Sequence, residues 1–555
     1  MPPQTPGDPP VLAACPLCGQ ASLTYQFTHL TTAIVRCREC GLLMRNPQPS
    51  EAELAAIYGD SYFLGAGARQ ASIAETDRLK RATAARHLDA VESRMAADWR
   101  RGLRLLELGC GRGNLLVEAR ARGYEVTGVD YSESSVRTTN EKLGADVARQ
   151  GTLRSSRMPD QAFDVVVMAD VLEHTRQPLE ELCEVWRVLR PGGWLFLAVP
   201  SLDSWSAQLL RERWMEFKLE HMYFFDRRTL SSILFRAGFH EVSITAGWKT
   251  LSADYVIEHF VRFPVPLLSP LAGLVRRLAP PVLRRRHVNV IASGIDVTAR
   301  RSPHTPPSQR RARLTVIMPV YNEQPTFRRV FDQVYAKTLP GVDIDIIIVE
   351  SGSTDGSVEA VAGVATLPRV RVMHEARALG KGHAVRAALP VADGDVLLIQ
   401  DADLEYDVND YEQLVAPTVS GRAAVVLGAR HDPKEGSWKL RRFSDDALLS
   451  SLMGFGHTVF RLLFNLVYGT RLRDPFTMFK VFRRDCLYGL TFESNRFDFD
   501  WELVAKLVRA GHVPLEVPVN YTSRSFAEGK KVNVWRDPFT YLRACFKYRF
   551  VRLGK

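Results

Sequence analysis

A run of about 18 or more uninterrupted apolar residues, the length a membrane-spanning helix requires, is missing from this 555-residue chain. The two nearest candidates, around Tyr255 to Val275 and Ala447 to Tyr468, are broken by Glu258, His259 and Arg262 and by His457 and Arg461, so both are expected as core or interfacial helices. The first residues, MPPQTPGDPPVLAAC, lack the basic start and apolar stretch of a secretory signal, so a cytoplasmic setting is expected. Cysteine is sparse: only eight are present, four of them between Cys15 and Cys40 and the others (Cys110, Cys183, Cys486, Cys545) scattered. That distribution argues against a disulfide scaffold.

What is there is too much for one core. A chain this long exceeds the roughly 250 to 300 residues at which a single hydrophobic core stops growing, and 46% hydrophobic with 24% charged residues is ordinary globular composition. A composition break lies at Ala299 to Arg313, where three prolines and five arginines leave almost no apolar side chain. It is expected to be a solvated, semi-stiff linker with no part in a core.

Charge is unevenly placed. Gly273 to Arg313 carries ten Arg against one Asp, and Arg524 to Lys555 nine Lys and Arg against two acids, so the net charge of +11 leaves −5 on the rest. Basic charge gathered in two patches suits an anionic partner such as a membrane surface, lipid phosphates or nucleic acid, or is simply a solvated face. Between the four amino-terminal cysteines there is little basic charge beyond Arg36 and Arg38, a poor phosphate track, so nucleic acid is the least favoured.

Cys15 and Cys18 form one CxxC and Cys37 and Cys40 a second, at the separation of a two-knuckle zinc site. Four thiolates aimed at one point satisfy a tetrahedral Zn²⁺ and leave no open position, which predicts a structural ion. Disulfides are the alternative. A helix start is read over Pro47 to Glu53. The run CPLCG, CREC, GLLMRNPQPSEAEL and YGDSYF resembles the zinc-bearing front end of a group of class I methyltransferases, including some that act on sugars.

LRLLELGC reads as a buried strand, and GCGRGNLLVEARARG as a glycine turn opening a helix. Gly109, Gly111 and Gly113 are spaced GxGxG and allow close approach of a ligand. YEVTGVDYS ends at Asp130, about 20 residues on, where a carboxylate can accept ribose hydroxyls. FDVVVMAD, then VLEHTRQPLEELCEVWRVL, then RPGGWLFLAVP continue the alternation of strand and helix. The order resembles the Rossmann-like, seven-stranded fold of class I S-adenosylmethionine-dependent methyltransferases. That resemblance implies that Glu107, Gly109, Gly111 and Gly113 contact the methionine part of S-adenosyl-L-methionine, and Asp130 its ribose. His174 in VLEH and the Glu220 and His221 pair are candidate bases or acceptor-positioning groups.

Beyond the break, LTVIMPVYNE and IDIIIVESGSTDGSVEAV each read as strand, turn and helix. In DGDVLLIQDADLEYD an apolar strand delivers Asp401 and Asp403, one residue apart and so on one side of an extended backbone. Such hard oxygen ligands suit Mg²⁺ or Mn²⁺ bridging a diphosphate. PVYNE, VESGSTDGS, GKGHAVRAAL, QDADLEYD and LGAR, in that order, resemble the family 2 glycosyltransferases of GT-A fold, in the branch of dolichyl-phosphate mannose synthase and bacterial polyprenyl-phosphate sugar transferases. The resemblance implies a nucleotide-diphosphate sugar as donor, base and ribose held by Pro319, Tyr321, Glu323, Glu350 and Asp355, the metal by Asp401 and Asp403, and Lys381 and Arg430 near the phosphates. Many relatives have paired aspartates where Glu350 and Ser351 stand. Asp474, with Asp498, Asp500 and Glu502, completes the catalytic or positioning candidates. In the tail, Arg524, Lys530 and Lys531 are placed to clamp phosphates, and Phe539, Leu542, Phe546, Phe550 and Leu553 recur at helical steps among basic residues, as in an interfacial helix or one packed on its own domain.

The expected α/β organisation is therefore a zinc-ribbon region over 1–60, a methyltransferase domain over 61–298, the linker 299–313, and a glycosyltransferase domain with a basic amphipathic tail over 314–555. The expected function is methylation of a sugar or related small molecule joined to inverting sugar transfer onto polyprenyl phosphate or a growing glycan, in cell-surface polysaccharide or glycolipid assembly, with possible peripheral membrane contact. The alternative is that one half is an inactive metabolite-binding or scaffolding domain and only the glycosyltransferase works.

Overall fold

The structure is a computed structural model that describes residues 9–57, 70–95, 102–262, 268–284, 286–430, 447–524 and 537–553. The YGDSYF motif, Arg285, Lys530 and Lys531 lie outside the described residues. The chain divides into two compact units, Met1–Pro306 and Pro307–Lys555.

In the first unit, strands Leu23–His29, Thr32–Cys37 and Leu43–Arg45 form an antiparallel sheet whose fourth member, Tyr223–Phe224, arrives from far along the chain. The cysteine region is thus sewn to the rest of its unit: Cys15, Cys18, Cys37 and Cys40 share one apolar cluster with Leu106, Val166 and Phe225. The expected helix start appears as Glu51–Ile57, where Ser50 and Glu53 cap each other reciprocally (Ser50 N to Glu53 Oε2, 2.7 Å; Glu53 N to Ser50 Oγ, 3.2 Å).

The seven-stranded sheet of this unit runs Phe239–Leu251, Val288–Arg301, Leu189–Pro200, Phe163–Ala169, Arg104–Leu108, Glu125–Asp130, Ala148–Gln150. Its last five strands are parallel and Val288–Arg301 is antiparallel to both neighbours. Val165 to Met168 are wholly buried, because helices cover both faces of such a sheet and every side chain must be apolar. The chain order of the central strands reverses at Arg104–Leu108, so the carboxyl ends of Arg104–Leu108 and Phe163–Ala169 open a crevice there.

The second unit holds its own seven-stranded sheet, ordered Val370–His374, Val342–Glu350, Ala312–Val320, Val396–Ile399, Lys480–Arg483, Val425–Ala429, Leu515–Pro518. The first four are mutually parallel and Lys480–Arg483 runs against its neighbours.

One expectation needs correction and one open alternative is settled in part. The stretch 299–313 is not a free linker. Ala299 to Arg301 end a sheet strand, Ala299 is buried, and Arg301 stacks on Trp186 at 3.9 Å. Within the second unit, Arg310 forks onto Asp395 at 2.7 Å and Arg313 pairs with Asp393 at 2.8 Å. Each arginine found a carboxylate or an aromatic face, so mutual repulsion does not open the segment. On the carboxyl-terminal helix Asp537–Phe550, Ala544, Cys545 and Tyr548 face the core, whereas Phe539 is 75% and Phe550 81% exposed. The helix packs on its own unit and still presents the stripe read from the sequence to solvent.

Candidate active sites

The first site lies at the carboxyl end of Arg104–Leu108. Gly109, Gly111 and Gly113 all take positive φ (69°, 52° and 68°), and a Cβ on Gly109 would stand 2.6 Å from Val171 Cγ2. Asp130 ends the next strand and accepts from Gly111 N at 2.7 Å and Ser132 N at 2.9 Å, which fixes its carboxylate beneath the glycine loop. Burial raises its pKa against those two bonds. Glu107 is buried, its Oε2 has no hydrogen-bond partner among the described residues, and burial followed by the charge of Asp130 pushes its carboxyl well up. An orphaned buried acceptor beside a loop that only glycine can follow suits the cationic, methionine-bearing part of S-adenosylmethionine.

Next to it, Asp170 closes strand Phe163–Ala169 in a left-handed conformation (φ 55°) and accepts from Lys249 Nζ at 3.0 Å. Asp170, Lys249, His87, Glu216, Ser293 and Asp296, together with Val199, Pro200, Trp248 and Ile295, line one open cleft of mixed polar and apolar character at the same sheet edge. One short turn further, Leu172–His174 carries His174, whose ring meets that of His221 edge-on, centroids 4.7 Å apart. The two sequence candidates are therefore brought together. Burial keeps the His174 imidazole below its ordinary range, and burial with His174 and Lys218 lowers His221 to about 3, so burial disfavours the charged form of both rings. Glu220 is beside them through its carbonyl, which His174 Nδ1 meets at 3.2 Å.

The four cysteines converge: their sulfurs lie within 4.8 Å of one another, with Cys15 and Cys40 3.4 Å apart and Cys18 and Cys37 3.5 Å apart. All four are buried and free of disulfides. The fold is compatible with a zinc ribbon.

In the second unit, Val396–Ile399 runs straight into Asp401 and Asp403, and both carboxylates already face cations. Lys381 Nζ is 2.6 Å from Asp401 Oδ1, and Arg524 Nη2 is 2.5 Å from Asp403 Oδ2. Burial, then the charges of Asp401 and Glu405, push Asp403 up to about 7 in spite of Arg524. Although burial opposes its charge, Asp401 holds the Lys381 ammonium above its ordinary value. A set of acids that collects every nearby cation has the charge and oxygen chemistry of a divalent-ion site.

Around it stand the residues expected at the nucleotide. Glu323 takes Arg524 Nη1 at 3.0 Å. Glu350 ends Val342–Glu350 and accepts from Ser353 N at 2.7 Å, Asp355 accepts from Gln324 N at 3.0 Å, and Tyr321 follows Pro319 as a 40%-exposed ring. Glu350 thus supports the turn that opens at the end of its strand. Arg430 is committed elsewhere: its Nε and Nη2 both donate to the wholly buried Asp474 at 2.8 Å, and His457 meets Asp474 at 3.1 Å. Despite burial, Arg430 and His457 hold the Asp474 carboxyl well below the ordinary carboxylate range. Asp500 pairs with Lys480 at 2.6 Å and Glu502 with Lys506 at 2.5 Å.

A family model for a methyltransferase domain matches residues 79–244, and one for glycosyl transferase family 2 matches 315–490. The chain is a methyltransferase domain fused to a family 2 glycosyltransferase domain. The glycosyltransferase domain is similar to glycosyltransferase AglD of Haloferax volcanii, 29% identical over 230 residues that make up 40% of this chain and 35% of that protein. It is also similar to dolichyl-phosphate beta-glucosyltransferase ALG5C of Trichomonas vaginalis, 28% identical over 37% of this chain and 63% of that one. The methyltransferase domain is similar to the ubiquinone biosynthesis O-methyltransferase of Maricaulis maris, 38% identical over 19% of this chain and 42% of the relative. The chain spans between about a third and just under two thirds of the length of these curated relatives.

Sequence reading missed Asp170, Lys249 and Glu405. Asp170 carried a signal, since it ends its strand as Asp130 does. Lys249 is brought in only by the antiparallel strand Phe239–Leu251, which no motif marks.

Proposed function

We propose that the chain is a bifunctional enzyme, in which the first unit methylates a sugar or related small polar molecule and the second moves a sugar, with inversion, from a nucleotide-diphosphate donor to polyprenyl phosphate or a growing glycan. The carrying observation is the acid set at the end of Val396–Ile399, where Asp401 and Asp403 each hold a cationic side chain. Mg²⁺ or Mn²⁺ bound there would neutralise the diphosphate that leaves. Asp401 and Asp403 would hold that ion, Lys381 and Arg524 would turn to phosphate oxygens, and Glu323, Glu350 and Asp355 would order the nucleoside side.

The acceptor reading rests on what the other acids do. Asp474, Asp500 and Glu502 are each tied to a cation, which disfavours them as bases, while Asp498 accepts from Arg496 N at 3.1 Å and has no cation against it among the described residues. A lipid monophosphate, with a second pKa of about 6, is already largely dianionic at neutral pH and needs no base. The dolichyl-phosphate named for the Trichomonas relative is an acceptor of this kind.

In the first unit, Glu107 and Asp130 would hold the amino-acid and ribose ends of S-adenosylmethionine, and the rings of His174 and His221 would position the methyl acceptor. The charged groups Asp170, Lys249 and Asp296 at the edge of the cleft would hydrogen-bond a hydroxyl-rich molecule. Zinc held by the four cysteines would be structural. Exposed Leu271, Leu274, Leu278 and Val282, with Phe539 and Phe550, beside arginines, favour peripheral contact at the cytoplasmic face of a membrane, in the assembly of cell-surface polysaccharide or glycolipid.

The test is to incubate the full chain with methyl-labelled S-adenosylmethionine, a panel of UDP- and GDP-sugars and polyprenyl phosphate, and to follow organic-soluble sugar and methyl label. Sugar label in the organic phase with Mn²⁺ supports the reading. Absence of both labels across the panel, with no binding of either donor by calorimetry, sinks it in favour of a scaffold.

A further inference from the structure

Arg301 is 4% exposed, and among the described residues Nε and Nη1 of its guanidinium are buried with no hydrogen-bond partner. Its Cζ lies 3.9 Å from the ring centroid of Trp186 on helix Pro178–Val188, and Trp186 Nε1 is a third buried donor without a partner. Stacking on an indole offsets part of the desolvation of the charge, but it accepts nothing from these N–H groups. The carboxylate whose charge reaches Arg301 is Asp160, which Arg187 Nη1 already holds at 2.5 Å, so burial lowers the Arg301 pKa with little to oppose it. A buried cation without an anion is costly, because it has given up water and gained no counter-charge. Its neighbour shows the usual remedy: Arg300 donates to the Gly192 carbonyl at 3.2 Å and to Glu241 at 3.1 Å.

The surrounding backbone keeps these donors together. Arg301 closes strand Val288–Arg301 opposite Phe239, and Arg300 beside it is in register with Trp194. Because that strand is antiparallel to Leu189–Pro200, its end lies at the amino ends of the parallel strands, across the sheet from the glycine loop and Asp130. Gly238, with φ 83°, brings the chain close to the indole: a Cβ there would stand 3.0 Å from Trp186 Nε1 and 3.1 Å from Pro306 Cα. The chain that leaves the strand is tied to the same turn, since Ser302 N donates to the Gly238 carbonyl at 2.9 Å. A helix, a turn and a strand end thus converge on three N–H groups, and residues 302–306, where Pro303 and Thr305 are exposed, pass beside them.

We propose that Arg301 and Trp186 form a binding site for a phosphate-type oxyanion, either the free ion or the phosphoryl group of a small metabolite. Three donors call for several acceptor oxygens on one group, and a phosphoryl group supplies them together with the negative charge that Arg301 lacks. A small displacement of residues 302–306 would admit it. Bound there, the anion would join the helix, the turn and the strand end, and so stabilise the first unit by mass action. The site stands at the opposite sheet edge from the S-adenosylmethionine loop and depends on neither transfer reaction.

The test is calorimetric titration of the full chain with inorganic phosphate in a chloride buffer of fixed ionic strength, comparing the parent with Arg301→Gln and Trp186→Phe. Other cationic groups, such as Lys381 and Arg524, take phosphate in parent and variants alike, so the difference is what is read. The expectation is a phosphate site in the parent that Arg301→Gln weakens at least about tenfold. Trp186→Phe, which keeps the stack and removes one donor, should weaken it less. Phosphate should also raise the Tm of the parent more than that of Arg301→Gln. Glycerol phosphate is the second probe: tighter binding than inorganic phosphate supports a phosphorylated metabolite, and weaker binding supports the free ion. If Arg301→Gln does not fold, Arg301→Lys and Trp186→Phe decide, read in the same way. Phosphate binding that no folded variant weakens, or none by the parent, overturns the site.

Discussion

Arg524 donates from Nη2 to Asp403 Oδ2 at 2.5 Å while its Nη1 reaches Glu323 Oε2 at 3.0 Å, so one guanidinium bridges an acid expected at the metal and an acid expected at the nucleotide. Its backbone nitrogen adds a bond to Glu405 Oε1 at 2.9 Å. A divalent ion binding at Asp403 would have to compete with Arg524 for that carboxylate. Arg524→Gln is therefore expected to tighten Mn²⁺ binding by about tenfold, a value set well below the full Coulomb attraction because the pair is partly solvated. Weaker Mn²⁺ binding in calorimetry would mean that Arg524 organises the acids instead of competing for them.

Asp403→Asn should abolish sugar transfer, by at least roughly a hundredfold, if Asp403 holds the ion proposed to neutralise the leaving diphosphate. S-adenosylmethionine binding should be unchanged. Equal loss of both in the same preparation would refute independent sites.

Gly109→Ala places a side chain in a left-handed conformation (φ 69°) and 2.6 Å from Val171 Cγ2. The backbone strain, about 1–2 kcal/mol, would shift the loop away from this conformation, so S-adenosylmethionine affinity is expected to fall by about five- to thirtyfold. Sugar transfer by the same variant is the internal control and should hold.

His87 gives a pH signature. Burial lowers its pKa to about 4 from 6.5, and its ring lies 4.6 Å from that of Phe196. As pH falls below 6.5 the unfolded chain takes the proton first, so stability present above pH 6.5 is lost as the pH drops through 4, by roughly 3 kcal/mol. Urea unfolding of the first unit at pH 7, 5.5 and 4.5 should show that decline in the parent and a flatter one in His87→Gln. Parallel declines would remove His87 as the cause.

Phe546 and Phe550 are 45% and 81% exposed on the carboxyl-terminal helix. If that face enters a bilayer surface, replacing both with Ser should reduce flotation with anionic vesicles at least about tenfold, each Phe contributing on the order of 1.5–3 kcal/mol when buried. Unchanged flotation would return the stripe to a bare surface.

The local chemistry was legible in the sequence because it is written in short segments. A strand followed by GCGRG and closed by Asp130 needs only the order of residues along the backbone, and the same holds for VLLIQDAD: strand period and glycine conformations decide both. The paired CxxC turns were readable for the same reason. The distributed partners were not. Arg524 on Asp403, Lys381 on Asp401, Lys249 on Asp170 and His221 against His174 join positions 20 to 121 residues apart, and no periodicity encodes such pairings.

The seam at Ala299 to Arg313 marks the limit. Composition alone made it a solvated linker, since five arginines and three prolines have no core to offer. The tertiary structure supplied what composition could not, namely Trp186, Asp393 and Asp395 at the right distances, and the arginines became anchors. What the sequence determined by itself is two ligand-binding α/β units and the glycines and acids at their strand ends, because backbone geometry is local. Which acid is free, which is paired and which side chains share a site was decided only by packing, because desolvation and charge compensation depend on neighbours that the chain brings together from afar.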